Sequence, residues 1–222
     1  MLYSFPQLLV HLMDLGIFKL EKGSLVLEKT ETAIFPTTLD ELIGQRIRFI
    51  KSIDNSLFML FAGMLLLGPQ INVQNLINFG IKNIADYVAY LEMKGFITIE
   101  NNISTIQSYS LYYDNILKML TSQEKIEIAS TIINKLYAKN TVNPVLAQLY
   151  EITNDTKNEF VQWENLSNIN CSLGDFSAYF NCSIRLLRML SNNINESTDK
   201  SIEEYKIEVY ENIANLLYKY TV

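Results

Sequence analysis

Of the side chains that catalysis and metal binding use most, this 222-residue chain has one histidine and two cysteines. The one histidine, His11, would have to serve any Ser-His-acid arrangement. Its neighbours Leu8, Leu9, Leu12 and Leu15 put it on a core-facing helix, where an imidazole is structural. The carboxylate pairs Asp40–Glu41 and Glu203–Glu204 are adjacent, so a helix splays them apart. Helix-start electrostatics and solvation account for both. Neither G-x-x-x-x-G-K-[ST] nor G-x-G-x-x-G occurs, so no backbone cradle for phosphate is legible. Cys171 and Cys182 sit in Asn-Cys-Ser triplets of an Asn-rich chain and read as reduced, packed thiols of a reducing, cytoplasmic compartment. One His and two Cys without close spacing make no zinc site. The reading assigns no catalytic, cofactor-binding or metal residue, and expects no enzyme active site in this segment.

The elements that would position any site are mainly α-helical. Hydrophobic residues make up 49% of the chain and charged ones 19%, which excludes wholesale disorder. The net charge of −6 divides as 8 basic against 10 acidic residues over 1–110, and 10 against 14 over 111–222. Neither half has the basic balance that nucleic acid or an anionic membrane attracts. The most apolar run, Leu57–Leu67, ends at Gly68-Pro69. A bilayer-spanning helix needs roughly 20 such residues, so this run reads as a helix buried on most sides.

Helical spacing from Phe5 to Phe18 closes at Gly16, and alternation around Lys22-Gly23 then predicts a short hairpin. Thr37 or Thr38 can cap a following helix whose first turn carries Asp40 and Glu41; Leu39, Leu42, Ile43, Ile47 and Ile50 share one face. After Leu57–Leu67 come two short helices closed by Gly80 and Gly95, then a β-hairpin about Asn101-Asn102. This order outlines a winged helix. Beyond Tyr112 only helices are expected: one with Ile126, Ala129, Ile133 and Leu136 on one side, then about 144–153, 157–172, 176–190 and 201–220. A winged helix that reads DNA needs phosphate contacts. Yet its recognition position, Asn83–Lys94, is near neutral, and Thr98–Gln107 has no Lys or Arg.

The runs FPTTLDELIGQRIRFIKS and LFAGMLLLGPQINVQNL resemble a stretch of STAND-type, AAA-like signalling ATPases. The resemblance rests on Leu39, Glu41, Leu42, Ile43 and Arg46, then Leu67, Gly68 and Ile71. SFPQLLVHLMDLGIF, followed by a hairpin and Pro36, is similar to the lid after the nucleotide-binding core, and DYVAYLEMKGFI to the third helix of the family's winged helix. Leu111 and Tyr113 depart from the family's F-x-H-x-x-I pattern. In FVQWENLSNINCSLGDF, Trp163, Leu166, Gly174 and Phe176 match the first helix and turn of a tetratricopeptide-like (TPR-like) repeat, while Tyr179 stands where a small residue is expected.

The resemblance implies a lid-like helix and hairpin (1–36), a winged-helix-like domain (37–111) and a TPR-like helical repeat region (112–222). The implied role is a relay in a multidomain signalling ATPase, making protein contacts that control a cyclase, kinase or transcription-regulator effector. Its partners would be another protein or the ATPase core, without cofactor, nucleic acid or membrane. Arg46, Arg48 and Lys51, on the polar side of the first winged-helix helix, are the candidate interface with that core. A free-standing helical-repeat adaptor is the alternative, and a DNA-binding regulator the least supported. Helical pattern running from Met1 to Val222 suggests a piece of a longer protein.

Overall fold

In the computed structural model, the described residues are 9–10, 12–13, 16–28, 38–138, 141–192, 204, 207, 209–211, 214 and 218. They are mainly helical, with two small antiparallel sheets. The chain divides into two compact units, Met1–Leu136 and Tyr137–Val222.

In the first unit, helical residues at 9–10 and 12–13 are followed by the expected hairpin, β1 (Phe18–Glu21) and β2 (Ser24–Leu27). Its two-residue turn has Lys22 at φ 49° and Gly23 at φ 82°, the left-handed pair whose twist suits such hairpins. Helix α1 (Leu39–Ile53) starts at Thr38 in a capping box. The Glu41 N–H donates to Thr38 Oγ1 (3.2 Å), and the Thr38 N–H donates to Glu41 Oε2 (3.3 Å). Asp54 ends α1 in extended backbone and caps α2 (Asn55–Leu67), accepting the Ser56 N–H at 2.6 Å.

Helix α2 is apolar on all sides because it is enclosed on all sides; Leu57, Phe58 and every residue from Leu60 to Leu66 are buried. Among the described residues no helix is long and apolar enough to cross a membrane. Gly68 stops α2 at φ 122°, a backbone that an L side chain resists, and Pro69 follows.

The next strand falls where the sequence reading assigns no element, between the Gly68-Pro69 stop and the helix that it begins at Asn72. β3 (Gln70–Asn72) precedes α3 (Val73–Ile77) and α4 (Ile84–Met93), followed by β4 (Ile97–Glu100) and β5 (Ile103–Ile106). The antiparallel order is β3-β5-β4, with Ile71 opposite Ser104 and Ile99 opposite Ser104 on the other side. Asn101 and Asn102, at φ 49° and 65°, make the β4–β5 turn, which asparagine tolerates better than other non-glycine residues.

The sequence reading begins its repeat region at residue 112, whereas the first compact unit runs on to Leu136. Helix α5 (Tyr109–Met119) packs on α1 and α2, and α6 (Ser122–Leu136) packs on α2. Tyr112 meets Phe61 and Phe96 at ring-centroid distances of 5.4 Å each, and Phe61 meets Phe96 at 5.2 Å. That three-ring cluster anchors α5 to α2 and β4. On α6 the buried residues are Ile128, Ala129 and Ile132. The expected face of Ile126, Ala129, Ile133 and Leu136 is thus rotated, because α6 turns its narrow apolar side to α2.

In the second unit, α7 (Pro144–Thr153), α8 (Thr156–Leu173) and α9 (Phe176–Asn192) pack in sequence order. Asn143 caps α7, accepting the Val145 N–H at 2.8 Å, with Pro144 at the first turn. Gly174, at φ 74°, ends α8 in the left-handed conformation. Ala147, Trp163, Leu166, Cys182 and Leu186 form the core, with Phe160 and Met189 packed against it. The described positions from 204 to 218 are helical, within the expected 201–220 element.

Candidate functional site

The α4 segment is built by local rules. Asn83 enters it at φ 61°, Gly95 leaves it at φ 69°, and Val88 and Leu91 point inward while Ala85, Asp86, Ala89, Glu92 and Met93 are exposed. The small Ala85 and Ala89 leave a groove of about 260 Å³ between α3, α4 and β4, walled by Leu76, Ile77, Val88 and Ile99. Its rim carboxylate, Glu92, accepts the backbone N–H of Ile99 at 3.1 Å and so ties α4 to the edge of the sheet. Lys94 sits over the Tyr90 ring, 5.7 Å from its centroid. The groove is apolar with an acidic rim, and β4 and β5 carry no Lys or Arg.

The three cations proposed as an interface do not share one surface. Arg46 is a correction: it is 1% exposed and lies inside the first unit. Its guanidinium stacks on Phe96, 4.1 Å from the centroid, and Nη2 donates to the Lys94 carbonyl. The helical wheel put it on the polar side because it is charged, but its position faces the aromatic cluster. Lys51 is engaged too, paired with Glu124 at 3.2 Å and lying 4.6 Å from the Phe58 ring centroid. Only Arg48 of the three is exposed.

The repeat-packing residues Trp163, Leu166, Gly174 and Phe176 fall together on α8, its turn and the start of α9. Trp163 and Leu166 are buried, and Phe176 is half-buried. The Trp163 Nε1–H donates to Glu159 Oε1 (3.3 Å), and the Arg185 guanidinium lies 4.6 Å from the indole. Burial first, and then the like charge of Glu151, raise the Glu159 pKa above the ordinary carboxylate value. Tyr179, where a small residue was expected, is buried. Tyr113 stacks on Tyr109 with centroids 5.5 Å apart. Tyr109 in turn donates to the Leu65 carbonyl at 2.9 Å.

Both cysteines are free thiols, Cys182 buried and Cys171 half-buried, and burial pushes the Cys182 thiol up. His11 lies outside the described residues. Among the described residues no group of three or more His, Cys, Asp or Glu side chains could hold a metal ion.

A second opening, of about 360 Å³, lies between the first turn of α2, the segment after α3 and one stripe of α6. Its apolar lining is Met59, Phe79, Ile81 and Ile128, and its polar lining includes Glu124, Glu127, Thr131 and Lys135. Two glycines shape its surroundings. A Cβ on Gly63 would stand 2.6 Å from the Phe79 ring, and one on Gly80 would stand 2.6 Å from Lys135 Nζ. Lys135 thereby reaches the Phe79 carbonyl and donates to it at 2.8 Å. The sequence carried a signal for this site: residues 124, 127, 128, 131 and 135 share one side of a helix. That stripe mixes charged with apolar residues, so it has no clean helical periodicity.

No protein-family model, no characterised protein and no solved structure matches this chain.

Proposed function

We propose that the chain is a non-catalytic relay segment of a STAND-type signalling ATPase, acting through protein contacts that control an effector. Two arrangements support the finer fold reading. Helices α2, α3 and α4 with a β3-β5-β4 sheet have the order of a winged helix, with α4 in the recognition position. In that frame α2 is the first of the three helices and α1 an N-terminal addition. The α8–α9 hairpin, with Trp163 and Leu166 inside and Gly174 at its turn, supports a TPR-like unit.

The observation that carries the functional reading is the groove along α4. Where a DNA reader presents cations, this surface is apolar with Glu92 at its rim. A protein side chain or helix suits it better than a phosphate backbone does. Contacts of this kind relay a signal only if the partner surface binds two states of the assembly unequally.

Reading the gene on either side of this segment tests the assignment. An upstream P-loop with further helical hairpins downstream fits the relay. Stop codons close to both ends would leave a free-standing adaptor. A random-sequence DNA duplex followed by fluorescence anisotropy is expected to give no binding at low salt; a salt-sensitive complex would instead make this a DNA regulator.

A further inference from the structure

The 360 Å³ opening against α6 is of the size that small ligands occupy, with an apolar floor and a few placed polar groups. Its charges are segregated along the helix. Glu124 and Glu127 stand at one end, beside Ser56, and Lys135 at the other. From Glu127 to Lys135 the α6 axis rises about 12 Å at 1.5 Å per residue. Met59, Phe79 and Ile128 supply the apolar lining, the last two nearly fully buried.

The two ends are not equally committed. Glu124 is held by Lys51 at 3.2 Å, and its carboxylate also accepts the Thr121 N–H and hydroxyl at 2.8 and 3.0 Å. Glu127 has no ion pair among the described residues. Asp54 caps α2 and places a carboxylate at that helix start. Lys135 spends one of its three N–H groups on the Phe79 carbonyl and keeps two.

We propose that this cavity binds an elongated zwitterion: an ammonium at the Glu127 end, an apolar spacer over Met59 and Phe79, and a carboxylate at Lys135. An ω-amino acid and a short free-ended peptide share that chemistry. An amine or a fatty carboxylate of equal length satisfies only one end.

The test is titration of the whole chain with 6-aminohexanoate, hexylamine and hexanoate, followed by calorimetry or by amide shifts of α6. 6-Aminohexanoate is expected to bind roughly fivefold tighter than either single-charge analogue, the gain from one partly exposed ion pair. Glu127→Gln should bring its affinity down to that of hexanoate with an unchanged melting temperature, and Lys135→Met to that of hexylamine, with a modest fall in melting temperature from the lost bond to the Phe79 carbonyl. A parallel titration with tri-alanine separates the sources: tighter binding than 6-aminohexanoate marks a peptide, weaker binding an amino acid. Equal affinity for all three six-carbon compounds, or no binding by any of them, overturns the proposal. So would variants that melt normally and bind like the parent.

Discussion

The guanidinium of Arg46 lies over Phe96 with its central carbon 4.1 Å from the ring centroid, both side chains being almost fully buried. No carboxylate among the described residues pairs with it, and its Nε and Nη1 groups have no hydrogen-bond partner. Stacking and one backbone carbonyl are what compensate this cation. Arg46→Met keeps the stem and removes the uncompensated charge. It should leave stability to urea unchanged or raise it by about 1–2 kcal/mol. Arg46→Ala, which also empties the space beside Phe96, should lose about 2 kcal/mol or more. A clear loss in the Met variant would mean that the charge itself is stabilising.

Gly63 is set by Phe79. Helix propensity alone favours alanine there by about 1 kcal/mol. The new Cβ, however, would stand 2.6 Å from an aromatic carbon of the buried Phe79. Overpacking of this kind costs about 1–3 kcal/mol, so the steric effect wins and Gly63→Ala destabilises. Phe79→Leu relieves the clash, and the double variant should be less unstable than the two single losses added together. Urea unfolding of the four proteins measures this; strict additivity would show the two side chains to be independent.

Asp54 makes acid weaken the first unit. The Tyr87 hydroxyl donates to its carboxylate, as does the Ser56 N–H, and both hold the carboxyl below its usual range. A depressed folded pKa contributes stability that is present above the ordinary carboxylate value and lost as pH falls through the folded one. Asp54→Asn remains a competent cap but cannot titrate. Its melting temperature should therefore fall less than the parent's between neutral pH and pH about 3. Parallel acid limbs for the two proteins would rule this out.

Glu159 acts in the opposite direction. Its raised pKa means that its contribution is present below the ordinary carboxylate value and is lost as pH rises through the folded one. Glu159→Gln keeps an acceptor for the Trp163 indole and removes the charge. It should melt above the parent at neutral pH, with the difference vanishing near pH 4. A lower melting temperature at neutral pH would mean that the Arg185 cation nearby outweighs burial.

Trp163 is the largest side chain of the second unit's core. Trp163→Ala should cost about 3–5 kcal/mol and melt α7–α9, while the near-ultraviolet signal of the Phe61–Phe96–Tyr112 cluster persists. Loss of both signals in one transition would make the two units a single cooperative block.

Much of this architecture is written locally. Thr38 with Glu41 three residues on, Gly-Pro after an apolar run, Asn-Asn between alternating segments, and Gly174 after Trp163 each determine a cap, stop or turn with the help of near neighbours alone. These features were legible for that reason, and so were most helices. What needed tertiary structure is what distant residues decide. β3 is three residues long, too short for a period, and is a strand only because β5 runs beside it. Arg46 looks solvated by its charge, and only the meeting of α1 with Phe96 and Tyr112 buries it. The end of the first unit at Leu136 depends on where Tyr112, Ile116 and Ile128 find apolar partners, which spacing along α5 and α6 does not specify. Of the bipolar cavity, only the α6 stripe is legible in the sequence. Its two charged ends lie on one helix, but its floor comes from α2 and from Phe79, and these meet α6 only when the chain is folded.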